Sequence, residues 1–436
     1  LHPTRSTEIC IVGTGYVGMA SAVGFAELGH VVRGYDIVPE RVRSLQAGVT
    51  PYREAGIEEL LCKHLRTGKI RFTEDLADAV RGAKYIIVAV GTPARDDGSA
   101  DLSAVEDAIG RITPLRSPGA TIVLRSTVPP STTERLAGKT GANIIYAPEF
   151  LREGSAVKDF LNPDRVIVGA EPEETAKGYA SLLEVLGCPI IVTSYRNAEL
   201  IKGFSNAFLA LKISFANEVA NLCDALDADA QHVLHGVGKD RRIGTAFLSP
   251  GIGFGGPCFE KDVRSFHRVA QENGVGRELL EATLRVNARQ PKRIVEILDQ
   301  ELAGLRDARV AIWGLAFKAG TDDIRDSLAI RIIDHLIERG ATPVAYDPAV
   351  RVPAPVACEL APSALAALER ADALLILTEW PEFKEVPPWA LAAHLRRRIV
   401  VDGRNLLDPD AVAAAGLRYR GVGRRPSIEP SLAAVS

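Results

Sequence analysis

The chain has 436 residues, 47% of them hydrophobic and 25% charged, with a formal net charge of −3. That length accommodates two or three domains of an ordinary globular protein. The weak charge gives no overall attraction to nucleic acid or an anionic membrane, and no run of about 18 apolar residues exists to span a bilayer. The six cysteines (Cys10, Cys62, Cys188, Cys223, Cys258, Cys358) lack CxxC pairs or Cys/His metal spacing. They read as reduced thiols of a cytoplasmic protein without a metal. No secretory pattern opens the chain, and Leu1–Ser6, without a methionine, read as a processed or expression-derived start.

Glu8–Val12 is a buried strand in pattern, followed by Gly13-Thr14-Gly15-Tyr16-Val17-Gly18 opening a helix through Leu28. A second strand, Val31–Tyr35, ends at Asp36. This is GxGxxG in the setting that gives it meaning: strand before, helix after, acid at the end of the next strand. Glycines permit the turn and the close approach of a diphosphate, which the helix N-terminus attracts. Asp36 can accept from ribose hydroxyls and repel a 2′-phosphate, so NAD is expected over NADP, with Arg33 and Arg41 nearby as a countervailing charge. Three further strands end in Gly91-Thr92-Pro93, in Arg125-Ser126-Thr127-Val128-Pro129-Pro130 and in Ala147-Pro148-Glu149-Phe150. Carboxyl ends of strands are where an open α/β sheet binds ligands.

A long apolar helix is expected from Asn197 to about Asp227, with Lys202, Asn206, Lys212 and Glu218 embedded. Its composition predicts burial on most sides, at a domain junction or a subunit interface. Lys202 and Asn206 share a face. Next comes Gly253-Phe254-Gly255-Gly256-Pro257-Cys258-Phe259-Glu260-Lys261-Asp262. A cysteine after a glycine-rich bend, with Lys261 to favour a thiolate and Asp262 one turn on if a helix starts there, suits a nucleophile. A second helix is expected over Arg277–Leu302. The last part echoes the first: Val310…Gly314…Gly340…Tyr346-Asp347 repeats Ile9…Gly13…Gly29…Tyr35-Asp36, with Phe317-Lys318 and a charged loop through Asp322, Asp323 and Arg325 replacing the glycines. Later strands end at Thr378-Glu379-Trp380 and at Asp402-Gly403-Arg404-Asn405, making Arg404 a candidate clamp on a phosphorylated ligand. Residues 425–436 read as a disordered tail.

These motifs, in this order, resemble the UDP-glucose 6-dehydrogenase (UDP-glucose/GDP-mannose dehydrogenase) family along nearly the whole chain. The matching pieces are GTGYVG (Gly13–Gly18), VGTP (Val90–Pro93), STVPP (Ser126–Pro130), PEFLREGSAVKDFLNPDRVIVG (Pro148–Gly169), AELIKGFSNAFLALKISFANE (Ala198–Glu218), RIG (Arg242–Gly244), GFGGPCFEKD (Gly253–Asp262), GLAFKAGTDDIRDS (Gly314–Ser327) and DGRN (Asp402–Asn405). The resemblance implies an α/β fold: two Rossmann-like doubly wound domains, 7–196 for NAD and 304–424 for the UDP-sugar, joined by a central helical dimerisation domain, 197–303, that carries the cysteine loop. It implies four-electron oxidation of UDP-glucose to UDP-glucuronate with two NAD, in a homodimer or higher homo-oligomer, with no nucleic-acid or membrane partner.

The resemblance also implies roles. Cys258 would capture the C6 aldehyde as a thiohemiacetal, which a second oxidation turns into a thioester. Lys202 and Asp262, with Asn206, would handle the proton and steady the oxyanion. Glu149 would activate the hydrolytic water that Thr127 helps to place. NAD would meet Val12, Gly13, Gly15, Tyr16, Val17, Gly18, Asp36 and Arg41, then Thr92, Thr127, Glu153, Lys261 and Arg325. The UDP-sugar would meet Phe150, Leu151, Arg152 and Glu153, the central Lys202 and Asn206, and Phe247, Leu248, Ser249, Gly251 and Gly255. Lys318 and Arg404 would hold its far end, and Arg242 would reach into the neighbouring subunit. Three residues depart from the family pattern: Pro257, Glu260, whose charge is expected to raise the thiol pKa, and Ser131, expected to be neutral in place of glycine. The alternatives are the same chemistry on GDP-mannose or UDP-N-acetylmannosamine, a two-electron hydroxyacid-type dehydrogenase, and a non-catalytic nucleotide-binding scaffold.

Overall fold

The computed structural model describes residues 6–350 and 356–425; the tail expected at 425–436 lies, except for Arg425, outside the described residues. The described residues group into two compact units, one drawn from Leu1–Ser205 with Arg268–Asn273, the other from Asn206–His267 with Gly274–Ser436.

The first unit is built on eight strands: β1 (Glu8–Val12), β2 (Val31–Tyr35), β3 (Ile70–Thr73), β4 (Tyr85–Val88), β5 (Thr121–Leu124), β6 (Ile144–Tyr146), β7 (Val166–Gly169) and β8 (Ile190–Thr193). They lie in the order β3-β2-β1-β4-β5-β6-β7-β8. All neighbours run parallel except β6 and β7, which meet antiparallel at Tyr146 and Gly169. The period-two alternation of a strand feeds both faces. Ile9 and Ile11 enter one core with Met19 and Phe25, while Cys10 and Val12 enter the other with Ile86 and Ile109. Cover on both sides explains why the central strands β4, β5 and β6 are buried along their whole length.

The second unit carries six all-parallel strands: β9 (Arg309–Trp313), β10 (Thr342–Tyr346), β11 (Glu359–Leu360), β12 (Ala373–Ile376), β13 (Ile399–Asp402) and β14 (Arg418–Gly421). Their order is β11-β10-β9-β12-β13-β14. Strand order therefore reverses beside β1 in one sheet and beside β9 in the other, which places a ligand crevice at each. The expected echo is a geometric one. Gly13 donates to the Tyr35 carbonyl at 2.9 Å and Gly314 to the Tyr346 carbonyl at 2.8 Å, both glycines having positive φ. The acids after the paired strands also behave alike: Asp36 accepts from the Thr14 N–H and Asp347 from the Leu315 and Ala316 N–H groups.

Helices Tyr195–Leu226, Ala230–Gly238, Phe259–Glu272 and Glu278–Leu302 make up the central part. The long helix is buried or half-buried along most of its length, and leaves one stripe open. Phe204, Phe208, Phe215, Leu222 and Leu226 are 51%, 61%, 47%, 60% and 69% exposed. Their separations of four and seven residues put them along one stripe. Among the described residues, no helix is long and apolar enough to cross a membrane.

Candidate active site

The turn after β1 is shaped for a dinucleotide. A Cβ on Gly18 would lie 1.9 Å from the Gly13 carbonyl oxygen, so the helix Tyr16–Glu27 can pack against the strand only with glycine there. A Cβ on Gly15 would meet open space, and the helix has no acid in its first turn to oppose an anion. Val12 ends β1, and Val17 lies in the first turn of that helix. Asp36 is 4% exposed and accepts from the Thr14 N–H and hydroxyl, the Val38 N–H and Arg41. Burial alone would raise its carboxyl, but these donors hold it below the usual carboxylate range. Arg33 pairs instead with Glu8 at 2.7 Å.

The carboxyl ends of β4 and β5 are joined by local bonds. The Thr92 hydroxyl donates to the Thr127 carbonyl at 2.9 Å, and Ser126 to the Val90 carbonyl at 2.7 Å. Lys202 is 4% exposed rather than a surface lysine. Its Nζ lies 3.1 Å from Glu149 Oε1 and 5.2 Å from the centre of the Phe150 ring. The other Glu149 oxygen accepts from the Leu151 N–H at 2.6 Å. A buried ion pair whose two carboxylate oxygens both accept a hydrogen bond is held in one geometry. Arg152 is tied to Asp159 at 2.6 Å, and Glu153 precedes Gly154 in the same loop.

In the second unit, Cys258 immediately precedes the helix Phe259–Glu272, and its carbonyl accepts from the Asp262 N–H at 2.9 Å. The exposed Cys258 therefore sits where a helix presents its positive end. Asp262 is 3% exposed; Asn206 donates to one of its oxygens and Lys261 to the other, each at 2.6 Å. The carboxylate of Glu260 is taken up by Arg264 at 2.6 Å and Arg331 at 3.2 Å, which offsets the charge expected to act on the thiol. Gly255 and Gly256 let this loop run against the segment after β9: added Cβ atoms would lie 2.6 Å from the Asp326 carbonyl oxygen and 2.7 Å from the Phe317 ring.

Arg404 is no surface arginine. It donates to the Leu377 carbonyl at 2.8 Å and the Phe317 carbonyl at 3.2 Å, and a Cβ on Gly251 would come within 3.7 Å of its guanidinium. Lys318 follows Phe317 and lies 5.4 Å over its ring. Leu248 is buried, whereas Phe247 is half-buried and Ser249 exposed. Arg242 is 89% exposed in its side chain and pairs with Asp240, and Arg325, also exposed, pairs with Asp323.

Sequence reasoning assigned no part to Glu54, Glu199, Asn217, Asn287 or Gln290. Asn217 and Gln290 bond the N–H and carbonyl of Gly251, and Asn287 bonds both backbone groups of Phe254, so buried amides hold the cysteine loop. Asn217 had the signal of a polar amide within an apolar helix, whereas Asn287 and Gln290, among charged neighbours, had none. Glu199, fully buried, accepts from the Ser131 and Thr133 N–H groups and the Thr133 hydroxyl, fixing the end of the STVPP segment to the long helix. Ser131 itself has φ +70°, a left-handed conformation that glycine adopts without strain, so the exchange is not neutral.

Burial pushes the Glu199 carboxyl up to about 7, although Thr133 and Ser131 pull it down. A carboxyl that binds its proton more tightly when folded stabilises the protein at low pH and loses that contribution as pH climbs through the folded value. The stability advantage of the wild type over Glu199→Gln is expected to fall by roughly 2–3 kcal/mol between pH 4.5 and 7. Urea denaturation at both pH values measures it, and a difference that does not change with pH refutes it.

Known sequences place this architecture. Residues 7–186, 196–289 and 311–409 match the NAD binding, central and UDP binding domains of one family. The chain belongs to the UDP-glucose/GDP-mannose dehydrogenase family. As a member of that family it is an NAD-dependent oxidoreductase, and the dinucleotide turn described above fits the cofactor. It is 38% identical over 440 residues to the UDP-glucose 6-dehydrogenase TuaD of Bacillus subtilis (strain 168), covering 97% of this chain and 95% of that one. Among family structures, a UDP-glucose dehydrogenase from Pyrobaculum islandicum superposes with a TM-score of 0.88 at 38% identity, covering 97% of this chain and 99% of the other. A UDP-D-ManNAc dehydrogenase from Pyrococcus horikoshii gives 0.86 at 30% identity, covering 96% and 99%.

Proposed function

We propose that this chain oxidises UDP-glucose to UDP-glucuronate in two successive two-electron steps, through a sulfur-bound intermediate on Cys258. One observation carries the reading: Cys258 opens a helix whose buried Asp262, one turn on, is gripped by Asn206. Two molecules of NAD, one for each step, would accept the two electron pairs. The first oxidation converts the C6 alcohol to an aldehyde, with Lys202, Asp262 and a water taking up the proton. The Cys258 sulfur adds to the carbonyl, and Lys202 and Asn206 hold the resulting oxyanion. Loss of the second electron pair leaves a thioester. Glu149, oriented by Lys202 and by the Leu151 N–H, draws a proton from the water that cleaves the C–S bond, with Thr127 placing that water. The carboxylate leaves and the thiol is regenerated.

Gly13–Gly18, Asp36, Arg41, Thr92, Glu153, Lys261 and Arg325 contact NAD in this reading. Phe150–Glu153, Phe247–Ser249, Gly251, Gly255, Lys318 and Arg404 hold the UDP-sugar. We divide the chain at 7–196, 197–303 and 304–424 and place it in the cytoplasm as a homodimer, or a higher homo-oligomer, with Arg242 entering the partner's site. The exposed apolar stripe of the Tyr195–Leu226 helix supports self-association.

Turnover of the purified chain with NAD and each of UDP-glucose, GDP-mannose and UDP-N-acetylmannosamine tests the proposal. UDP-glucose is expected to be preferred and to yield two NADH per sugar. Preference for either rival, or one NADH per sugar, would sink it; no NADH from any of them would point to a scaffold.

A further inference from the structure

Glu54 lies in the segment before the helix Ile57–Arg66, and at 7% exposure it is a buried carboxylate in a stretch otherwise mostly open to solvent. A buried charge persists only where donors surround it. Glu54 has three. Oε1 accepts from the Ala156 N–H at 2.8 Å, and Oε2 accepts from the Gly154 N–H at 2.6 Å and from the Tyr16 hydroxyl. The Tyr16 hydroxyl also lies 3.0 Å from the Arg152 carbonyl oxygen. Tyr52, two residues before Glu54, tilts against the Tyr16 ring at 5.5 Å and donates to the Gly15 carbonyl at 3.2 Å. One short segment thus grips two others: the dinucleotide turn, through Gly15 and Tyr16, and the loop from Glu149 to Ser155 with the first residue of the helix after it, through Gly154 and Ala156. Burial and the bond to Glu54 both raise the Tyr16 hydroxyl far above its ordinary pKa, so it remains a donor throughout the working range.

We propose that Glu54 is a positioning residue that locks the Glu149–Glu153 loop to the dinucleotide turn through Tyr16, so that cofactor binding and the placing of the sugar-end carboxylates are coupled. The inference rests on the proposed function for what the loop does, not for the lock itself. A glutamine at 54 keeps the shape but offers one acceptor oxygen where two are in use, and turns an NH2 toward N–H or O–H donors. Tyr16→Phe breaks the same link from the other side.

The experiment measures kcat and KM for UDP-glucose, together with NAD affinity by calorimetry without sugar, for wild type, Glu54→Gln, Tyr16→Phe and the double variant. Glu54→Gln is expected to lower kcat about 100-fold, as a small misplacement of reacting groups does. Each single variant should weaken NAD binding about fivefold, and the double variant should be no weaker than Glu54→Gln, because a broken link cannot be broken twice. Wild-type NAD affinity in Tyr16→Phe would overturn the lock, and that measurement decides even if Glu54→Gln does not fold; losses that multiply in the double variant would overturn it too. A folded Glu54→Gln variant with wild-type kcat would overturn the positioning role. A wild-type protein that binds NAD but forms no NADH from UDP-glucose would defeat the proposed function while the calorimetry still judges the lock.

Discussion

Cys258→Ser is expected to stop the reaction after its first oxidation. The serine oxygen keeps its place at the start of the Phe259–Glu272 helix, yet at neutral pH a hydroxyl is far less ionised than a thiol, and an alkoxide is a poor leaving group for the final hydrolysis. Steady-state NADH formation should drop by about three orders of magnitude or more, the scale seen when an enzyme loses its nucleophile. A single turnover with enzyme in excess should give one NADH per UDP-glucose where wild type gives two, and an aldehyde reagent should trap the stalled sugar. Turnover equal to wild type would remove Cys258 from the mechanism.

Lys202→Met should have the second-largest effect, and it should show in two ways. Removing the ammonium leaves the Glu149 carboxylate, 11% exposed in its side chain, without its cation at 3.1 Å. Breaking a buried pair from one side costs about 3–5 kcal/mol, so the melting temperature should fall. Loss of a positioned proton-transfer group should lower kcat by about 10²–10⁴. Activity within threefold of wild type would show that the pair serves only packing. Lys202→Met/Glu149→Gln should recover much of the stability and none of the activity, which separates the two effects.

How far the sequence could be read depended on whether a residue's signal was local. The turn at Gly13–Gly18 and the strand ends at Thr92, Thr127 and Glu149 were legible because backbone geometry dictates residue type within a few positions. The second sheet was legible because Gly314 and Asp347 repeat the spacing of Gly13 and Asp36. What escaped was non-local. Glu54 is 102 residues from Ala156 and Glu199 is 66 from Thr133, and nothing beside either acid hints at the donors it will meet. The antiparallel pairing of β7 with β6 likewise depends on how the chain returns across the sheet edge. The open stripe of the Tyr195–Leu226 helix could not be told from its covered faces, because an apolar stripe looks the same in sequence whether its own chain covers it or not. Arg242, exposed beside Asp240, shows no ligand role within its own chain, and the role proposed for it depends on a second copy.

The close fit of Gly255 and Gly256 against Asp326 and Phe317 bears on protein engineering. The glycine-rich bend before Cys258 and the segment after β9 are moulded to each other, glycine against carbonyl and glycine against phenyl ring. Grafting a relative's C-terminal sheet to change nucleotide preference would therefore wedge the bend unless residues 251–258 were transplanted with it. A chimaera that swaps both pieces together should retain an ordered cysteine; one that swaps the sheet alone should lose it.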